Sequence, residues 1–456
     1  MNYNFLPYIQ DQLYLMPPAL QEWVGQESLP RFVNDVIDLL AEQGRLAGFY
    51  RRYRSDGWGR AAYHPVMMVK VLVYAYCRGV TSSRQIARGL DEEIGLRYLS
   101  ANQCPDFRTI SEFRKEHLEA LGGLFVEVLA LCRQAGLAKM GRVALDGRKV
   151  AGNAALDRNR TREGLRKEVE RILEEAERVD TEEDARWGDQ RGDELPEGWR
   201  THRERMERLK KAQAELGGRE RELQQAQREK ISEREQQEAD SGRKKRGRKP
   251  KPPEEVRLTE EAKANTTDPE SRILKSRKGW VQGYNGQAMV DCESQVIVAC
   301  ALTQDENDVR QLGPMLERVE EQAGARPGEL TADAGYWSEE NAEREDEDTT
   351  LYVATTKDWK QRKAMRESGP PRGRIPRDAT LRDRMERRLR TRRGRAVYRQ
   401  RGSTVEPVFG QMEVRGLNRF RLRGIKKTGS EWLLWCTTHN LLKLWRSGFD
   451  PAVVTE

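Results

Sequence analysis

The chain has no closely spaced cysteine pair, no apolar run of 18 residues and only four histidines. Its six cysteines, Cys77, Cys104, Cys132, Cys292, Cys300 and Cys436, are scattered without a CxxC. That excludes a zinc cage of the usual ligand spacing and gives no support to a disulfide framework, so a reducing, cytoplasmic setting is expected. The missing long apolar run excludes a membrane-spanning helix. The opening "MNYNFLPYIQDQLYLMPP" has no basic segment before an apolar core, so it does not read as a secretory signal. Apolar residues make up 37% and charged residues 34%, so part of the chain must be solvated, extended or turned to a charged partner.

What is abundant is arginine, and it is unevenly placed. Lys357 to Lys427 holds 24 Lys or Arg against 7 Asp or Glu, so a net +8 chain becomes acidic outside this stretch. One Arg-rich face on an otherwise acidic protein points to a phosphate-bearing polyanion.

The length of 456 residues allows two or three domains. Residues 1–137 read as an all-α domain. "HPVMMVKVLVYAYCRGV" is an apolar helix, "SSRQIARGLDEEIGLRYLS" follows with Ser82 or Ser83 as cap, and 106–137 supplies one or two more. Arg84, Arg88, Arg108 and Arg114 on short helices fit either a helix-turn-helix-like DNA module or a plain bundle. Residues 157–265 form a charged insertion. Leu209, Leu216 and Leu223 keep a heptad with Met206, but Gln213 and Glu220 hold the alternate positions and Gly217-Gly218 interrupts, so a helical hairpin or arm is expected. Within the following basic tract "GRKKRGRKPKPP", Arg246-Gly247-Arg248 resembles an AT-hook core, which lies in the minor groove of A·T-rich DNA.

Around that insertion the chain alternates strands and helices: a strand over "VALDGRKV", a hairpin in 283–304 turning at Asp291–Ser294, a helix near 308–323, strands at 329–335 and 350–356, and a final helical region from about 404. Without the insertion this order resembles an RNase H-like domain, here 138–156 joined to 266–446, with a tail at 447–456. The predicted class is therefore α/β with a long charged helical insertion after the first strand, plus the all-α N-terminal domain.

An Asp inside an apolar strand is costly unless its charge is compensated, and Asp146 is such a residue. Asp333 closes a second short strand, and Glu406 in "GSTVEPVFGQME" lies beside the helical stripe of Val405, Val408, Phe409 and Met412, with Thr404 as cap and Pro407 in the first turn. Three convergent carboxylates suit hard divalent cations such as Mg²⁺ or Mn²⁺, two per site, which serve displacement at phosphorus. Asp291, Asp305, Glu306 and Asp308 compete with them, Asp291 being set in a turn.

The motifs "ALDGRKV", "NTTDPESRILKSRKGWVQGYNGQAMVD", "LTADAGYWSEEN", "GSTVEPVFGQMEVRGLNRFRLRG" and "WLLWCTTHNLLKL" resemble those of bacterial insertion-sequence DDE transposases, and 64–117 is similar to the helical domain preceding the catalytic domain there. The resemblance implies that Asp146, Asp333 and Glu406 are the metal-binding catalytic triad, spaced 187 and 73 residues apart. It implies nicking at the ends of a mobile element, strand transfer into target DNA, and a homodimer assembled on double-stranded DNA, with a nucleoid-associated location. It also implies DNA contacts by Tyr398 and Arg401, with Arg246, Arg248 and Arg415 as further candidates. Trp337 is a candidate for stacking on an extruded base or for packing, and Trp280 has the same two readings. The chain departs from the family pattern twice. The interval from Arg401 to Glu406 is one residue longer than usual, and Glu413 stands where a lysine is usual, so Arg415 is the candidate substitute. The alternatives are another RNase H-like nuclease, and a transposase-derived DNA-binding regulator with weak or no catalysis. The buried-helix pattern around His439 and Asn440 reads as packing rather than ligation.

Overall fold

The computed structural model describes residues 19–54, 56, 61–187, 199–244, 247–276, 279–369 and 372–455. Six helices come first: α1 (Leu29–Glu42), α2 (Pro65–Cys77), α3 (Ser83–Glu92), α4 (Ile94–Leu99), α5 (Phe107–Glu116) and α6 (Leu118–Gln134). The expected helix over 82–100 is two, because the chain extends at Glu93 between them. Asp106 caps α5 by accepting from the Thr109 amide at 2.7 Å. α2 is apolar on every side and buried along nearly its whole length, as a helix inside a core must be.

Strand β1 (Arg142–Ala151) opens the sheet region and leads into the insertion. There, β2 (Asn159–Thr161), α7 (Arg162–Trp187), α8 (Trp199–Ser241) and β3 (Lys263–Asn265) follow, with β2 pairing β3 at the base. The two helices share a small core of Leu165, Ile172, Leu209, Ala212 and Leu216, braced by Arg205 on Glu168 at 2.7 Å. Met206 packs at its edge and Leu223 is exposed, so the heptad buries only its middle. The segment thus folds as two packed helices, and α8 runs straight through Gly217-Gly218.

The remaining elements are β4 (Arg272–Ser276), β5 (Gly279–Asp291), β6 (Ile297–Thr303), α9 (Leu312–Ala323), β7 (Glu329–Ala332), α10 (Glu339–Ala342), β8 (Thr350–Val353), α11 (Trp359–Glu367), α12 (Leu381–Arg390), α13 (Arg392–Val414) and α14 (Ile425–Arg446). β1 is central. It pairs antiparallel with β5 and parallel with β7, β8 lies beyond β7, and β6 and β4 share the far edge of β5. The chain is mixed α/β, with a helical N-terminal region and a sheet region.

The two regions share one core because α14 lies between them, touching α2 and α6 on one side and β6 on the other. Its middle turns are buried all round, including Trp432, Trp435, His439 and Asn440. Asn440 holds the β5–β6 hairpin by accepting from the Ile297 amide and donating to its carbonyl, both at 2.8 Å. At Gly286 a side chain would meet the Trp432 ring at 3.0 Å, so glycine there lets the indole lie on β5.

His439 Nε2 lies 2.9 Å from the Gln295 carbonyl, the buried, hydrogen-bonded role its position suggested. Burial, helped by Arg415, Lys443 and Arg446, pushes its imidazole down to about 3. The unfolded chain therefore takes up a proton near 6.5 that the folded chain refuses. The stability His439 contributes is present above about pH 6.5 and is lost as pH falls toward 3. The stability gap between the native chain and His439→Gln should shrink by on the order of a few kcal/mol between pH 7 and pH 4. Melting curves at the two pH values check it, and an unchanged gap overturns it.

The helix carrying Glu406 starts earlier than its sequence suggests. Thr391, not Thr404, is the cap, accepting from the Gly394 amide at 2.9 Å, and Pro407 sits deep inside the helix. Proline there removes the amide that would bond the Ser403 carbonyl. Gln295 Nε2, from the β5–β6 turn, donates to that carbonyl at 3.3 Å, and Thr404 Oγ1 instead bonds back to Gln400.

Candidate active site

Asp146 and Asp333 come together through strand register. Leu145 pairs with Ala332 across parallel β1 and β7, so the next residue on each chain stands beside the other, about 4.8 Å apart in backbone spacing. Burial pushes the Asp146 carboxyl up to about 6; Arg401 opposes this and the neighbouring Asp333 adds to it. Arg401 Nη1 bonds Asp146 Oδ2 at 2.9 Å. Burial alone would weaken the Arg401 charge, but Asp146, Tyr398 and Asp333 outweigh it and hold its pKa above the ordinary value. Asp146 also accepts from the Gly147 amide at 2.8 Å, and Asp333 from the Gly335 amide at 2.7 Å.

The side chains of Arg142, Asp146 and Arg148 share one face of β1 and meet α13 at Gln400, Arg401 and Glu413 respectively. Strand and helix therefore run in the same direction, and Glu406 falls between the Arg401 and Glu413 contacts in α13. Around the axis, seven residues bring Glu406 within about 20° of Glu413, the residue that reaches β1 through Arg148. Glu406 is exposed on that stripe. Among the described residues, no three His, Cys, Asp or Glu side chains are close enough to hold a metal ion. In donor chemistry the half-buried Asp146–Asp333 pair fits a hard divalent cation, with Arg401 supplying positive charge against Asp146.

Behind the pair lies a polar network that the sequence did not single out. Asp308 is bonded by Lys149 Nζ at 2.9 Å, Asn285 Nδ2 at 2.7 Å and Gln287 Nε2 at 2.9 Å. Gln287 Oε1 accepts from the buried hydroxyl of Tyr336, three residues beyond Asp333. The available signal was Asn285 and Gln287, two amides at alternate positions of an apolar strand and hence on one face. Asp308 had been only a competitor. Asp291 is a turn residue, its Oδ1 accepting from the Glu293 and Ser294 amides.

Other expected contacts are distributed as follows. Tyr398 is half-buried on α13, one turn before Arg401. Trp337 is half-buried and packs on the core, while Trp280 is exposed with Lys275 over its ring. Arg248 is exposed, its carbonyl bonded by Arg234 of α8, and Arg246 lies outside the described residues. Among the N-terminal arginines, Arg84, Arg88 and Arg108 are exposed. Arg114 is buried against the Thr81 carbonyl at 2.7 Å and so serves packing. Arg415 corrects its expectation. Its guanidinium lies 5.4 Å over Trp435, with Nη1 3.3 Å from Thr438 Oγ1, turned into α14 rather than along the Glu406 stripe. Alone it does not replace the missing lysine. Glu413 is instead neutralised by Arg148.

A transposase domain model (DUF772) matches residues 18–116, and a transposase DDE domain model matches residues 355–445. These two matches, one toward each end of the chain, support its resemblance to the insertion-sequence DDE transposases. The second match takes in Tyr398, Arg401, Glu406 and Glu413 and stops short of Asp146 and Asp333. No curated protein and no solved structure matches the chain. DDE transposases generally use divalent metals and act on DNA. Among the described residues, no helix is long and apolar enough to cross a membrane.

Proposed function

We propose that the chain binds the terminal inverted repeats of an insertion sequence, nicks them, and transfers the freed 3′-hydroxyl into target DNA. The observation that supports this best is the register of β1 and β7, which sets Asp146 beside Asp333, with Arg401 of α13 paired to Asp146. The strand arrangement supports an RNase H-like reading of the sheet region. A central strand is flanked by an antiparallel hairpin on one side and two parallel strands on the other.

In this reading Asp146 and Asp333 would be ligands of Mg²⁺ or Mn²⁺, two ions per site, and Glu406 on α13 would be the third acid of the set. Such cations draw an oxygen nucleophile onto phosphorus and steady the departing oxygen. The chain's own residues do the positioning. Asp308, Gln287 and Tyr336 fix the loop after β7, and with it Asp333. Arg401 keeps the half-buried Asp146 ionised, and the Tyr398–Arg401 edge of α13 faces the DNA strand. Exposed arginines of α12 and α13 give phosphate contacts, Arg248 and Arg246 a minor-groove tether, and the helical region 1–137 a DNA-binding module. Two chains hold two element ends as a dimer.

Glu413 favours a second reading, a DNA-binding regulator derived from a transposase, because it places a carboxylate where phosphate contact is usual. The test is incubation of the native protein with Mg²⁺ or Mn²⁺, duplexes carrying the element's presumed ends, and a plasmid target. Nicked ends and end–plasmid joints are expected. Specific binding with neither product selects the regulator.

A further inference from the structure

The crossing of α13 and α14 encloses a cavity of about 360 Å³ lined by Gly410, Gln411, Val414, Arg415, His439, Leu442, Lys443 and Arg446. Three of those side chains are cations and none is a carboxylate. Among the described residues, none of the three forms an ion pair: Lys443 Nζ bonds the neutral Gln295 Oε1 at 2.8 Å, and Arg415 bonds the Thr438 hydroxyl. Arg415 Nη2 is buried with no hydrogen-bond partner. Buried positive charge without an anion is costly, and such a group keeps its place most readily where an anion visits. The groups also disfavour one another's charge. Burial and then Arg446 lower Lys443, and the cations together help hold His439 neutral.

We infer that this cavity is a second DNA contact, a seat for one backbone phosphodiester whose phosphate lies against Lys443 and Arg446, with Arg415 behind them. Two features favour a phosphodiester over a free phosphate ion. Leu442 and the exposed Val414 give the cavity an apolar wall that a deoxyribose covers and a bare anion does not. Gly410 lies one helical turn beyond Glu406, so a strand crossing the Glu406 stripe reaches the cavity directly. The charge absent at Glu413 is thus supplied from the neighbouring helix. The inference rests on the proposed DNA function and names the residues that hold one part of the strand.

The test uses the full chain and Lys443→Gln, Arg446→Gln and Arg446→Lys, each first shown to melt like the native protein. Binding of a labelled end duplex is followed by fluorescence anisotropy across a salt series. Each Gln variant is expected to bind about three- to tenfold more weakly at low salt, and to lower the slope of log affinity against log salt by about 0.9, the value for one lost phosphate contact. Arg446→Lys should restore most of both. Native affinity and slope in both Gln variants overturn the inference while leaving DNA binding, and so the functional reading, intact. No DNA binding by the native chain overturns both. In a parallel arm inorganic phosphate replaces DNA. Saturable thermal stabilisation by phosphate, lost in the variants while DNA binding is unchanged in them, assigns the site to a free anion and overturns the phosphodiester.

Discussion

Asp146→Asn and Asp333→Asn should each lower cation-dependent nicking of end DNA by on the order of 10³-fold or more, while duplex binding stays within about twofold. Asparagine keeps the shape of each side chain and removes the charge that draws a divalent cation. The backbone contacts at Gly147 and Gly335 can persist, so lost activity is not lost fold. The pH dependence follows from the Asp146 carboxyl, pushed up to about 6 by burial. A raised carboxyl lets the folded chain keep a proton that the unfolded chain has already released. The associated stability is therefore present below about 3.8 and lost as pH rises through about 6. Cation binding has the opposite trend, since it needs the ionised form. At limiting Mg²⁺, nicking should fall about tenfold per pH unit below 6. Mg²⁺ should also raise the melting temperature of the native chain at pH 7.5 more than at pH 5, and leave Asp146→Asn unmoved. Equal stabilisation of native and variant would remove Asp146 from the cation site.

Gly147→Ala should cost nicking about 100-fold, the scale expected when a catalytic group is misplaced by about 1 Å. A methyl at this position would stand 2.4 Å from Gln287 Nε2, 2.7 Å from Asp308 Oδ1 and 3.0 Å from Asn285 Oδ1. Those atoms are the polar network that anchors Tyr336 and the loop carrying Asp333. The amides can shift, so the stability loss should be modest, about 1–3 kcal/mol. End nicking and a thermal melt on the same preparation separate the two effects. Nicking at the native rate would show that the network is not needed to position Asp333.

Much of the site's frame was legible because it is local. The alternation around "VALDGRKV" gave β1, Leu330-Thr331-Ala332 gave β7, and parallel pairing of such strands brings the residue after each into one place. The two-amide alternation in "GYNGQAMV" was also legible, though it carries meaning only once Asp308 arrives from a turn 21 residues away. The start of α13 was not legible. Gly402 and Pro407 look like a break, and the helix continues because Gln295, 108 residues earlier, bonds the carbonyl that Pro407 leaves open. Glu413 read as a repulsive charge because its partner Arg148 is 265 residues distant. Arg415 read as a surface cation because nothing nearby in sequence shows that Trp435 lies beneath it. In each case a long-range contact decided what local propensity could not.

The claim that three acids act together is tested most directly at Glu406, the one presented from the helix. End-labelled duplex would be incubated with Mg²⁺ and either the native protein or Glu406→Gln, with binding measured alongside. Because Glu406 is exposed, the variant should fold and bind like the native chain. Nicking at the element end is expected from the native protein, and its loss by on the order of 10³-fold in the variant. Native-rate nicking by Glu406→Gln would contradict it and leave the chemistry to Asp146, Asp333 and a different third acid, of which Asp308 is the nearest candidate.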